Sequence, residues 1–348
     1  MHNNIIEARK VFNKTIKAAK EIAKSDTCLC CGKQTKGFCK SHFVPEFILR
    51  NIAIDGNVLY NMQILKSPLA KNRMGIGEAG TFYIICDECD GKLFASYEDE
   101  RQIFSFNSDN KKFMASIALK NYMKQFYKRN YEIHYQDEVS KIAPQTKPFN
   151  SKVKDVYKLD WKEYKENLMR ALHILERNLK SGYNCIFSVF LNYKSPIAFQ
   201  GAITLQQDLL GKEINDIYAY DEKIKLQDLH ACIFPLSNNQ TFVLLFVHKD
   251  DTKYKSFIKQ FNNLDLANKL KVLNFAIFRH CEDFFISEDI DRSCFTDEFL
   301  DICRRNPSDR KSMMYRLYGE NEIIFKDIDT IPCLLDEKYA IAKPEDLS

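Results

Sequence analysis

Four cysteines stand in two pairs with the spacing that metal-binding sites use. Cys28 and Cys31 form one C-x2-C pair, and Cys86 and Cys89 form a second pair further along the chain. Two such pairs can supply four thiolates to a tetrahedral ion, which in a reducing compartment points to zinc. Gly32 follows the first pair and suits the tight turn that brings both of its sulfurs onto one ion. The spacing therefore predicts a structural zinc site.

A second ligand set shares the first of these pairs. Cys28, Cys31, Cys39 and His42 have C-x2-C…C-x2-H spacing and could close a smaller finger by themselves. This arrangement would use His42 as a ligand and would leave the second pair without a role. The cysteines beyond residue 180 lack ligand spacing and are better explained as buried or free thiols.

A longer pattern surrounds the two cysteine pairs. The segment GFCKSHFVP follows the first pair at 37–45, and the second pair lies within YIICDECDGK at 83–92. Over roughly residues 28–105 this order resembles the zinc-containing HNH (ββα-metal) endonucleases, most of all bacterial variants with S-H-x-x-P and C-x-x-C-[DE] motifs. Those proteins follow a zinc knuckle with a β-hairpin and then a helix. The resemblance implies an N-terminal module of the treble-clef type.

The resemblance also implies a chemistry for this module. Hydrolysis of a phosphodiester needs a base that activates water and a cation that stabilises charge on the phosphate. His42 would be the base, because a neutral imidazole accepts a proton near pH 7. Asp90, directly after the fourth cysteine, would be a hard oxygen ligand for Mg²⁺ or Mn²⁺, with help from Glu98 about two helical turns later. Lys92 keeps the family's lysine and would contact phosphate.

Three positions depart from the family pattern. Ser41 stands in place of an aspartate that often ligates the metal, Asp90 in place of the last histidine, and Thr81 in place of the middle asparagine. Each candidate also has a structural explanation: His42 as a structural or zinc-bound residue, Asp90 as an acid favoured at a helix N-terminus, and Glu98 as a solvated helix residue. Two functions therefore stay open, a nuclease and a non-catalytic zinc-binding adaptor for nucleic acid or protein.

The distribution of charge favours a polyanionic partner. The net charge of the chain is +4, and residues 1–50 alone carry ten Lys and Arg against four Asp and Glu. A solvated basic face explains the same excess. Residues 117–131 interleave basic and aromatic side chains that could grip phosphates and stack bases, although the aromatics could equally belong to a core. The resemblance favours DNA over RNA and suggests a role in bacterial antiviral defence under a regulatory protein partner.

Several classes of protein have no support in the sequence. The chain carries no Walker phosphate loop, dinucleotide fingerprint or G-x-S-x-G elbow. No apolar run is long enough to span a bilayer, and the first residues lack the features of a signal peptide. We therefore expect a cytoplasmic protein with no membrane partner. The run Arg279–Asp283 contains His, Cys and acids but lacks the spacing of a ligand set.

Hydrophobic periodicity predicts an α+β fold in four segments. These are an amphipathic helix in 1–27, the zinc-bound module with trailing helices in 28–139, a linker in 140–158 and a C-terminal α+β domain with an antiparallel sheet, of unknown role, in 159–348. The predicted helices cover 4–24, 92–105, 113–131, 164–179, 252–262, 266–281 and 296–304. The predicted strands cover 184–193, 198–205, 214–220, 231–236 and 241–248, with a hairpin turn at 237–240.

Overall fold

Helices and short antiparallel strands alternate along the chain. The computed structural model describes residues 2–35, 37–68, 70–71, 73–177, 179, 182–304 and 323–341. Within these ranges the helices are α1 (His2–Ile22), α2 (Glu46–Arg50), α3 (Asn61–Ile64), α4 (Asp87–Phe94), α5 (Glu100–Phe104), α6 (Lys111–Ile142), α7 (Lys147–Glu176), α8 (Lys255–Asn262), α9 (Leu266–His280) and α10 (Asp297–Arg304). The strands are β1 (Ser41–His42), β2 (Asn57–Tyr60), β3 (Met74–Gly75), β4 (Thr81–Phe82), β5 (Tyr183–Leu191), β6 (Ile197–Ile203), β7 (Leu229–Pro235), β8 (Thr241–His248) and β9 (Phe284–Ile286). The predicted α+β class is confirmed.

The described strands form one small and one large antiparallel sheet. β1 pairs only with β4, and the large sheet has the order β3-β2-β9-β6-β7-β8-β5. The antiparallel sheet predicted for the C-terminal half is confirmed in β5 to β8. Its far edge is built from β2 and β3, which lie in the cysteine-containing part of the chain.

Both faces of the large sheet are buried. Successive side chains of a strand point to opposite faces, so β7 serves two cores. Leu229, Ala231 and Ile233 pack with α8 to α10, whereas Cys232 and Phe234 pack with α6 and α7. Strands β7 and β8 are buried along their whole length, which explains their continuous apolar composition.

Helix α6 is the central element beneath this sheet. The Asn110 side chain caps it by accepting from the Phe113 backbone N–H at 3.1 Å, and the segment 113–123 is entirely buried. The aromatic residues Phe113, Tyr122 and Phe126 belong to the core, as one of the two explanations of segment 117–131 expected. After α6 the chain reverses direction, and α7 packs against α6 as an antiparallel helix pair.

The prediction of a linker over 140–158 is wrong. α6 continues to Ile142, a single 3₁₀ turn covers Pro144–Thr146, and α7 begins at Lys147. Both prolines lie in the first turn of a helix, where a missing N–H costs nothing and the fixed φ favours the start. They mark a tight helix–helix turn rather than an extended connection.

Two further elements differ from the sequence prediction. The helix predicted over 92–105 is divided into α4 and α5, because Asp99 caps a new helix by accepting from the Arg101 N–H at 2.9 Å. The strand predicted over 214–220 is a loop. Asn215 there donates to the backbone oxygens of Leu205 and Gln227, so side-chain hydrogen bonds replace a strand ladder. Helices α6 and α7 extend well beyond the predicted 113–131 and 164–179, whereas the remaining predicted helices and strands are confirmed within a few residues, and so is the hairpin turn between β7 and β8.

In the described part of the chain, none of the helices combines the length and the apolar character that crossing a bilayer requires.

Candidate metal and catalytic site

The first cysteine pair lies in a tight turn. Gly32 has φ +67°, a left-handed conformation that favours glycine, and its N–H donates to the Cys28 carbonyl at 2.9 Å. The Cys28 N–H donates in turn to the Lys33 carbonyl at 2.9 Å. The chain reverses here, as the sequence predicted, and both sulfurs of the pair point to one side.

The second pair lies at the start of α4. Cys86 is the N-cap residue of this helix, and Cys89 is in its first turn. Two backbone hydrogen bonds hold the first pair and the segment after it against the residues before this helix, from the Leu29 N–H to the Ile84 carbonyl and from the Cys39 N–H to the Ile85 carbonyl. The Cys86 N–H also donates to the Cys28 sulfur at 3.4 Å.

These contacts bring four sulfurs together. The Sγ atoms of Cys28, Cys31, Cys86 and Cys89 all lie within 4.8 Å of one another, and those of Cys31 and Cys86 are 3.9 Å apart. Tetrahedral zinc–sulfur bonds of about 2.3 Å place sulfurs about 3.8 Å apart, so the cluster has the dimensions of a metal site. Cys39 and His42 lie outside it, which disfavours the smaller finger.

The environment of Cys28 favours its thiolate form. Burial by itself raises the pKa of this thiol, but the backbone N–H groups of Cys31, Cys86 and Cys30 point at the sulfur and lower the pKa to about 7. Burial raises the pKa of Cys39 to about 12, and the nearby Asp90 carboxylate adds to that increase. Within the cluster the pKa shifts differ, because burial and the neighbouring sulfurs raise the pKa of Cys89 while that of Cys28 is lowered.

His42 lies on the short hairpin that joins the two cysteine pairs. Strand β1 pairs with β4 so that His42 stands opposite Thr81. Behind the hairpin, Gly80 has φ +65°, and a Cβ there would lie 2.2 Å from the Phe43 ring. The pairing places Thr81, which replaces the asparagine of the family pattern, directly across from the candidate base.

The His42 ring is held in one orientation. Its Nε2 donates to the Ile76 carbonyl at 3.1 Å, while Nδ1 lies 3.9 Å from a Glu46 carboxylate oxygen. The side chain is 9% exposed, and burial lowers its pKa. The imidazole is therefore neutral near pH 7 with its lone pair on Nδ1, and the Ile76 carbonyl fixes the orientation of the ring. The sequence carried no signal for this backbone contact.

Asp90 reaches the hairpin from the first turn of α4, directly after Cys89. The Ser41 hydroxyl donates to its carboxylate at 2.5 Å, and the carboxylate is only 16% exposed. Because Ser41 precedes His42, this bond joins α4 to the strand that carries the candidate base. Lys92, the other candidate on α4, is exposed in the last turn of the helix.

A buried lysine contacts both Asp90 and Glu98. Lys120 of α6 is 1% exposed, its ammonium lies 3.9 Å from Asp90 and pairs with Glu98, and it stands 4.2 Å over the Phe94 ring. Burial raises the pKa of Glu98, and the lysine opposes that rise. Asp90 and Glu98 therefore approach one cation, but the cation that the chain itself supplies is Lys120. A lysine inside the apolar run before Tyr122 was the signal that sequence reasoning missed.

No protein-family model, curated protein or solved structure matches this chain.

Proposed function

We propose that Cys28, Cys31, Cys86 and Cys89 hold one structural zinc ion. The four sulfurs already lie at the spacing of a tetrahedral site, and the Cys28 sulfur accepts a backbone hydrogen bond of the kind that stabilises a thiolate. The ion would tie the knuckle to the start of α4. It would thereby fix the hairpin with His42 against the helix with Asp90.

We further propose that the module is an HNH-like endonuclease that hydrolyses phosphodiester bonds, with DNA as the favoured substrate. One observation carries this proposal: the Ser41–Asp90 hydrogen bond next to a neutral, oriented His42. These are the positions that the resemblance assigns to the metal ligands and the base. A role in bacterial antiviral defence and control by a protein partner are further parts of the same proposal.

The roles of the side chains follow from their chemistry. His42 Nδ1 takes a proton from water, and the resulting hydroxide attacks phosphorus while the bond from phosphorus to the leaving ester oxygen breaks and that oxygen takes a proton from solvent. Asp90 would hold a Mg²⁺ or Mn²⁺ ion, which supplies charge stabilisation at the phosphate. Glu98 serves this site through Lys120, whose ammonium lies between the two carboxylates. Lys92 and the basic residues of the first 50 positions attract the polyanion.

The test is cleavage of plasmid DNA, single-stranded DNA and RNA by the full chain, with Mg²⁺, with Mn²⁺ and with no added divalent metal. His42→Ala should lower the rate on the order of 10²-fold or more, since a general base contributes at least that much. His173→Ala, which changes an exposed histidine of α7, is the matched control and should cut like the wild type. Zinc content should be the same in all three proteins.

Cleavage by His42→Ala at the wild-type rate would exclude His42 as the base. The second candidate function is a non-catalytic zinc-binding adaptor, and the Lys120 contacts favour it, because an ammonium already neutralises the carboxylates that a divalent ion would need. Zinc-loaded wild type that cuts none of the substrates, yet binds nucleic acid or retains a protein partner, would support the adaptor.

A further inference from the structure

A groove of about 460 Å³ runs beside the candidate site. It lies between α1, α6 and the β1–β4 hairpin, and Thr81, the strand partner of His42, is part of its wall. Its other polar and aromatic lining residues include Lys20, Tyr60, Lys124, Tyr127 and Tyr131. The groove therefore places lysines and tyrosines beside Thr81, the strand partner of His42.

The tyrosines and lysines of this groove are ordered by contacts with each other. The Tyr127 and Tyr131 rings lie 5.6 Å apart at a steep angle, and the Lys20 ammonium stands 5.0 Å from the Tyr131 ring. Aromatic faces beside ammonium groups are the combination that single-stranded nucleic acid uses, with bases on the rings and phosphates on the cations. Part of segment 117–131 thus faces this groove, while Phe126 of the same segment is in the core.

Two carboxylates form ion pairs with the lysines of the groove wall. Glu282 and Asp283, here called the acidic corner, connect α9 to β9. Asp283 pairs with Lys124, and Glu282 pairs with Lys128 at 2.8 Å. Lys124 and Lys128 are four residues apart and so lie on one face of α6. Two adjacent carboxylates on two aligned lysines reproduce the contacts that successive backbone phosphates would make.

The exposure of these groups shows which side faces the solvent. The lysine side chains are 17% and 22% exposed, whereas the carboxylates of the acidic corner are 45% and 35% exposed. The lysines are therefore built into the wall, and the corner covers them from the solvent side. Since ion pairs near the surface contribute little to stability, a strand with many phosphates can displace the corner.

We propose that the acidic corner is an internal phosphate mimic that competes with a single strand of nucleic acid for Lys124 and Lys128. That the ligand is a nucleic acid rests on the proposed function, whereas the competition between the acidic corner and the strand goes beyond it. In the closed state the corner neutralises Lys124 and Lys128 and keeps binding weak. A strand that enters the groove replaces both carboxylates and runs past Thr81 toward His42.

The test compares binding of a fluorescent single-stranded DNA or RNA oligonucleotide to full-length, zinc-loaded proteins by anisotropy, with no Mg²⁺ or Mn²⁺ added. Glu282→Gln with Asp283→Asn should tighten binding at least about tenfold, and the slope of log K against log salt should steepen by about 1.4, as two added phosphate contacts require. Adding Lys124→Gln and Lys128→Gln to this variant should return binding to the wild-type level.

The matched control is Asp155→Asn with Glu222→Gln, which removes the same charge from lysine ion pairs outside the groove. An equal gain in this control would show a general charge effect and overturn the proposal. So would unchanged binding in the corner variant, or no binding by any of the proteins. Tighter binding by the corner variant in this assay, together with no cleavage in the separate assay with Mg²⁺ or Mn²⁺, would support the acidic corner as a competitor while the nuclease proposal fails, so the two failures are distinguishable.

Discussion

Lys120 places a positive charge inside the protein where a nuclease of the proposed type would place a metal ion. The ammonium is nearly inaccessible to solvent and is shared by Asp90 and Glu98. A charge buried to this degree is tolerated only when it is paired, so the lysine and the two carboxylates depend on each other. The candidate site is therefore stable without a divalent ion, which distinguishes it from a site made of carboxylates alone.

Lys120→Met should lower the free energy of unfolding by about 3–5 kcal/mol, because it leaves two partly buried carboxylates without their cation. Urea denaturation at pH 7.5 measures the change. Lys92→Met, which alters an exposed lysine of α4, is the control and should change stability little. A Lys120→Met protein as stable as the wild type would mean that the ammonium does not neutralise the pair.

Asp228 gives a second prediction at the residue scale, which concerns how the stability of the protein depends on pH. Burial raises the pKa of this carboxyl from 3.8 to about 7, with Glu163 and Asp251 contributing, although the Thr204 hydroxyl donates to it. The folded protein thus favours the protonated acid. Its stabilising contribution is complete below about pH 3.8, the ordinary value, and is lost as the pH rises through about 7.

Asp228→Asn cannot ionise, so its free energy of unfolding should fall less between pH 5 and pH 8 than that of the wild type. Urea denaturation at both pH values gives the two differences. Asp155→Asn, an exposed substitution on α7, should follow the wild type. If Asp228→Asn has the wild-type pH dependence, then Asp228 stays ionised in the folded protein over this range.

At the scale of elements, the α6–α7 turn shows what sequence patterns miss. Two prolines and several lysines predicted a linker, yet the turn is held by the buried Asn150. The Asn150 amide donates to the Ser140 and Thr146 side chains, at 3.0 and 2.8 Å. A single polar side chain that hydrogen-bonds to residues at both helix ends thus fixes a turn whose composition is typical of a flexible linker.

Asn150→Ala should lower the free energy of unfolding by about 1–3 kcal/mol, since it leaves buried hydrogen-bonding groups at the turn without a partner. Thermal or urea unfolding measures this. Asn263→Ala, an exposed asparagine after α8, should change stability much less. An equal effect of the two substitutions would indicate that the turn does not depend on Asn150.

The sequence was most informative where a local pattern determines an element. The amphipathic helix α1 followed from hydrophobic periodicity, the strands β7 and β8 followed from their apolar composition, and the cysteine spacing predicted the four residues that converge. Strands β2, β3 and β9 were missed, because segments of two to four residues have no detectable alternation. The orientation of His42 was missed for another reason: it depends on a backbone carbonyl, which every residue has.

At the scale of the whole molecule, the cysteine-containing part and the C-terminal sheet are joined. β2 pairs with β9, the Phe43 and Phe285 rings lie 5.7 Å apart, and the Asn51 amide donates to the Pro235 carbonyl at 2.9 Å. The acidic corner directly precedes β9. Strand β9, which connects the two parts, thus directly follows the residues proposed to control the groove. The C-terminal part is therefore linked to the candidate site through this strand.

The account depends most on the claim that both cysteine pairs hold one metal ion. The most direct measurement is the zinc content of purified protein by elemental analysis, for the wild type, for Cys86→Ser with Cys89→Ser, and for Cys39→Ser with His42→Ala. We expect about one zinc per chain in the wild type and in the Cys39/His42 variant, and none in the Cys86/Cys89 variant. Zinc retained by the Cys86/Cys89 variant and lost from the Cys39/His42 variant would contradict the account.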